Sequence, residues 1–80
     1  MNDPAARPPL YHAGQAVYQP RLGLRGVVLA LDPAGTPAVW SAKDNAWMYT
    51  LRMRDGLFET MRFAERDLLP DSRGEEDSNG

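Results

Sequence analysis

The stretch Trp47-Met48-Tyr49-Thr50-Leu51-Arg52-Met53-Arg54-Asp55-Gly56-Leu57-Phe58-Glu59-Thr60-Met61-Arg62-Phe63 decides how this chain folds. In its first arm Trp47, Tyr49, Leu51 and Met53 fall at every second position, separated by Met48, Thr50, Arg52 and Arg54. Period two is the repeat of a strand whose alternate side chains face a core and solvent. Asp55-Gly56 follows, and a second alternating arm returns from Leu57 to Phe63. Gly accepts the positive φ of a tight turn at no steric cost, so Asp-Gly between two such arms predicts a β-hairpin.

Two registers compete for this hairpin. A two-residue turn sets Met53 against Phe58 and Arg52 against Glu59, an ion pair, but leaves Met61 and Phe63 on the solvent face. A three-residue loop of Arg54, Asp55 and Gly56, with Gly56 left-handed in a bulge, sets Met53 against Leu57, Tyr49 against Met61 and Trp47 against Phe63. The bulged pairing is preferred. It puts Glu59 on the covered side near the loop, which costs less than exposing two large apolar side chains.

Working outward, residues 15–18 read as a short first strand closed by Pro20, and residues 21–26 as a loop with two glycines. Val27-Val28-Leu29-Ala30-Leu31 is apolar on both parities, the pattern of a strand covered on both faces. Asp32-Pro33-Ala34-Gly35 carries the residues of a type I-like turn. Ala38-Val39-Trp40 reads as a short edge strand and residues 41–45 as a turn. Beyond the hairpin, residues 64–69 suit a single helical or 3-10 turn stopped by Pro70. Short strands, frequent turns and no long helix predict an all-β fold, a small SH3-like β-barrel of about five strands. The barrel is expected over residues 10–70, between a Pro- and Ala-rich disordered arm (1–9) and a disordered acidic tail (71–80).

The net charge of −2 is unevenly placed. The tail holds Asp71, Glu75, Glu76 and Asp77 against Arg73, whereas the body is nearly balanced, with arginine as its main cation. The chain has no cysteine, which removes disulfides and thiolate-bound zinc and fits a cytoplasmic protein. Its longest apolar run, Val27 to Leu31, is far short of a membrane span, and the N-terminus lacks the apolar core of a secretion signal.

No catalytic constellation emerges. His12 is the lone histidine, and a metal site needs several convergent ligands. Ser41 and Ser72 have no neighbouring His–acid pattern. Gly23-x-x-Gly26 precedes a strand and lacks the helix and lysine of a phosphate loop. The expectation is a protein that is not an enzyme and takes no metal, cofactor or small-molecule substrate. Two binding surfaces remain. Trp40, Met48 and Phe58, on the outward parity or in a loop, are candidates for contact with another protein. Arg21, Arg25, Arg52, Arg54 and Arg62 are candidates for holding phosphates of DNA or RNA, with Phe58 or Trp40 stacking on a base.

Several pieces of the chain resemble the hemimethylated-DNA-binding, heat-shock-protein-Q-like family. They are Gly14-Gln15-Ala16-Val17, then Gly23-Leu24-Arg25-Gly26-Val27-Val28-Leu29-Ala30-Leu31-Asp32-Pro33, then Trp47 to Leu51, and finally Ala64-Glu65-Arg66-Asp67-Leu68. Where the family tends to carry Pro-Trp-Tyr-His-Val, this chain has Ala46-Trp47-Met48-Tyr49-Thr50, without the histidine. The resemblance implies an SH3-like barrel that binds hemimethylated DNA or assists an ATP-dependent protease in protein degradation. The expected function is therefore a non-catalytic adaptor or regulator that binds another protein, a protease or its substrate. A DNA-binding module is the alternative, and a structural subunit of a larger assembly the third reading.

Overall fold

The computed structural model describes residues 7–54 and 57–71. Its longest strand is the first arm of the hairpin, and the other strands are arranged about it. The elements are β1 (Ala16–Gln19), β2 (Leu24–Val28), β3 (Ala38–Ser41), β4 (Ala46–Met53), β5 (Thr60–Ala64), a 3-10 turn (Glu65–Asp67) and β6 (Leu69–Pro70). All pairings are antiparallel. One edge of β4 pairs with β5; the other pairs with β3 over Ala46–Tyr49 and with β2 over Leu51–Met53. β2 then pairs with β1, and β6 returns to the far edge of β1. This is an all-β fold, six antiparallel strands in one sheet, with the 3-10 turn just before the last strand.

Alternation along the strands builds the core. Tyr49, Leu51, Val17 and Val28 are fully buried, joined by Tyr11, Ala38 and Leu68, with Trp47, Met53 and Phe63 packed at the margin. Burying each large apolar side chain contributes about 1.5–3 kcal/mol, so these few residues supply most of the driving force of a small domain.

The hairpin register differs from both anticipated pairings. Tyr49 lies opposite Phe63, Leu51 opposite Met61 and Arg52 opposite Thr60. The parity is that of the bulged pairing, with Met61 and Phe63 on the core side, but the second arm has slid by two residues. Trp47 meets Trp40 of β3, edge to face at 5.6 Å, instead of Phe63. The slide sets Phe63 opposite buried Tyr49, packed against the core, and puts Glu65 beside the Tyr49 hydroxyl. It also leaves Leu57 outside the strand and 95% exposed. The turn residues Asp55 and Gly56 lie outside the described residues.

β2 begins at Leu24, not Val27, and is not covered on both faces. Val28 is buried and Val27 half-buried, while Leu31, beyond the strand, is 40% exposed. The Leu29 N–H still donates to Thr50, but Leu31 donates to Thr36, so the chain has turned away from β4 by that point. The edge strand expected at residues 38–40 is present as β3. In the Asp32 turn the Gly35 N–H donates to the Asp32 carbonyl at 3.0 Å. The Asp32 carboxylate accepts from the Thr36 N–H at 3.0 Å and the Thr36 hydroxyl at 2.7 Å. These bonds, the Thr36 hydroxyl's first, hold the Asp32 carboxyl below its ordinary value. A depressed acid stabilises the fold fully above its unfolded value and loses that contribution as pH falls through the folded one. The Asp32 side-chain carbon, followed by NMR, should accordingly titrate below a free aspartate, and Thr36→Ala, which removes the hydroxyl but keeps the backbone donors, should move it part of the way back.

Pro70 does not end the ordered chain. Leu69 and Pro70 pair with Tyr18 and Val17, an edge position where a missing N–H is tolerated. Asp71 is buried and its N–H donates to the Ala16 carbonyl at 3.0 Å. At the other end, the Arg7 carbonyl accepts the Trp47 indole N–H at 2.9 Å. Residues 1–6 and 72–80, with most of the arm, the acidic tail and Ser72, lie outside the described residues. No helix among the described residues is long and apolar enough to cross a membrane.

Candidate nucleic-acid interface

The residues that alternate with the core form the outer face of the sheet. Register places Tyr18 of β1 opposite Arg25 of β2, and Val27 opposite Arg52 of β4. On the hairpin, Arg52 is opposite Thr60, and Thr50 is opposite Arg62. Arg54 is the next outward position on β4, and its N–H donates to the Arg25 carbonyl at 3.0 Å. Arg25, Arg52, Arg54 and Arg62 thus share one face. Arg52, Arg54 and Arg62 are exposed. Arg25 is half-buried, its guanidinium 5.7 Å from the Tyr18 ring centroid and 3.8 Å from the Asp71 carboxylate. Arg21 stands exposed in the connection between β1 and β2, at the rim of the face.

The electrostatics follow from this spacing. Arg25 and Arg54 face one another across a rung, where like charges repel, and Asp71 offsets that repulsion. The outward positions of β1, β2, β4 and β5 carry no carboxylate, and Asp71, the residue after β6, is the one that reaches Arg25. Glu59, exposed at the hairpin end, has the opposite parity. Sequence reading set Arg25 in a loop, because Gly26 looked like a loop residue. Gly26 is instead a strand residue pressed against β4, and this brings Arg25 onto the face.

The three protein-contact candidates are not brought together. Trp40 is on the core parity against Trp47, while Met48 is half-buried on the outer face, opposite Val39 and Ala64. Phe58 is 63% exposed at the far end of the hairpin from both.

Sequence reading missed the buried polar cluster around Glu65. Its Oε2 accepts from the Tyr49 hydroxyl at 2.7 Å and from the Leu10 N–H at 2.9 Å, and its Oε1 lies 3.4 Å from Arg7. The Tyr49 oxygen accepts the Tyr11 N–H at 3.2 Å, and the Tyr11 hydroxyl donates to the Leu68 carbonyl at 3.0 Å. Burial, then the hydrogen bond to Glu65, pushes the Tyr49 hydroxyl far above its ordinary value; burial and the Glu65 charge raise Tyr11 as well. Both phenols are therefore fixed as donors. The cluster straps residues 7–11 to the 3-10 turn, and nothing in the pattern Ala-Glu-Arg-Asp-Leu signals that its glutamate is buried. His12 is exposed, with its Nδ1 at 2.9 Å from the Ala13 carbonyl, and no three metal-ligating side chains gather among the described residues.

Comparison of the chain with known protein families, curated proteins and solved structures gives no match.

Proposed function

We propose that this protein is a non-catalytic, cytoplasmic nucleic-acid-binding module that holds phosphates on the outer face of β2, β4 and β5. The observation that supports this reading most is the gathering of Arg25, Arg52, Arg54 and Arg62 on that face. Guanidinium groups suit phosphate oxygens because their planar donors can engage two at once. Binding should then be governed by counterion release. If Arg52, Arg54 and Arg62 each hold one phosphate, log affinity should fall with log salt at a slope of about −2 to −3. The paired substitution R52A/R62A should flatten that slope by about 1.5, with little change in melting temperature because both residues are exposed. A slope that these substitutions leave unchanged would remove the proposal.

A second reading, the protein-binding adaptor or regulator of protein degradation that the family resemblance implies, is favoured by Leu57 and Phe58. They stand together at the hairpin end, both exposed. Contact there would depend on apolar substitutions and respond weakly to salt.

A further inference from the structure

We propose that the ligand of the arginine face is single-stranded nucleic acid, with a base stacked on the exposed ring of Phe58 at the hairpin end. This rests on the nucleic-acid reading above and narrows it to one class of ligand.

The rung is built by register. Tyr18 is opposite Arg25, and the Arg54 N–H donates to the Arg25 carbonyl. The β4–β5 pairing ends at Arg52 and Thr60, and beyond it the Met53 N–H donates to the Glu59 carbonyl at 2.9 Å, next to Phe58. Tyr18, Arg25 and Arg54 therefore follow one another across the face, with the Arg25 guanidinium over the Tyr18 ring. The exposed Phe58 stands at the hairpin end of β4 and β5. The neighbouring rung supplies Arg52, with the Thr60 hydroxyl beside it, and Arg62 lies one step beyond.

Each group on this face has a use on a single strand. Arginines hold successive phosphates, and an exposed ring stacks on a base whatever its sequence, because every base has a π face. A duplex would use the arginines alone, since its base faces are already stacked. The exposed ring of Phe58 is then explained by a single strand and left without a use by a duplex.

The test is fluorescence anisotropy with the full chain, at fixed low salt, on two probes. One is a labelled oligothymidylate of about 20 nucleotides, longer than the usual site on one small barrel. The other is a labelled duplex of the same length. The expected result is tighter binding to the single strand, with Phe58→Ser weakening that complex roughly 5- to 100-fold and leaving duplex binding unchanged. Phe58 is exposed, so the variant should fold, which circular dichroism checks. Preference for the duplex, or equal loss on both probes, overturns the inference while the nucleic-acid reading stands. So does a Phe58→Ser variant that binds oligothymidylate as wild type does. No binding to either probe overturns both.

Discussion

Tyr49→Phe is expected to lower the unfolding free energy by about 1.5–3 kcal/mol, the range for a buried hydrogen bond to a charged group. The ring stays, so the packing against Tyr11, 5.4 Å away edge to face, and against Phe63 is unchanged. What goes is the donor to Glu65 at 2.7 Å and the acceptor of the Tyr11 N–H. Glu65 is then a buried carboxylate left with the Leu10 N–H and the largely exposed Arg7. For a domain this small, whose total stability sits near the low end of about 5–15 kcal/mol, the loss is a large fraction. A urea midpoint measures it, and Glu65→Gln alone and combined with Tyr49→Phe gives the coupling. Additivity of the two substitutions would show that the hydroxyl and the carboxylate do not act as a pair. The wild-type protein carries a matching pH signature. Above the ordinary tyrosine value the unfolded chain releases protons that the folded chain retains, so stability should fall as pH rises through that range. Tyr49→Phe should blunt the fall.

Gly26→Ala should have an effect of similar size by another route. A methyl group at residue 26 would lie 2.9 Å from the Arg52 carbonyl oxygen, 3.1 Å from Leu51 Cβ and 3.3 Å from Met53 Sδ. The sulfur ends a flexible side chain and can move. The carbonyl cannot easily do so, because β4 is fixed by β5 on its other edge. Overpacking of this kind costs about 1–3 kcal/mol, and here it would push β2 away from β4. The same displacement would part Arg25 from Arg52 and Arg54, so nucleic-acid affinity at a temperature where the variant is still folded should fall too. Thermal melting together with one anisotropy titration reads both. A melting point within about 2 °C of wild type would mean that β2 can yield without cost.

What could be read from the chain beforehand was what nearby residues determine. Period two marked β4, Asp32-Pro33-Ala34-Gly35 marked the turn between β2 and β3, and Ala38-Val39-Trp40 marked an edge strand. The hairpin register was not legible for a physical reason. A slide of two residues keeps every side chain on its face, so hydrophobic alternation is blind to it. The choice is made by Phe63 on Tyr49 and by Glu65 at the Tyr49 hydroxyl, contacts that depend on how the whole core closes. The place of Asp71 was hidden in the same way. By composition it belongs to an acidic tail; in the fold it is buried beside Arg25, because β6 pairs with β1 and carries the chain past the end of β2. The arginine candidates, by contrast, were legible as a group, since parity alone sends Arg52, Arg54 and Arg62 outward.

That parity has a consequence for how such a protein can change over generations. Along β4 and β5 the odd-numbered residues Tyr49, Leu51, Met53, Met61 and Phe63 share the core-facing parity, and the even-numbered Arg52, Arg54, Thr60 and Arg62 belong to the outer face. Two messages are written in alternate letters of one line. Substitutions in the outer set can redirect recognition, from one polyanion to another or toward a protein, without disturbing the inner set. A single-residue insertion within either arm does the reverse and exchanges the two messages at once. The surface is free to drift by replacement, while the spacing of the strands is held against any change in length.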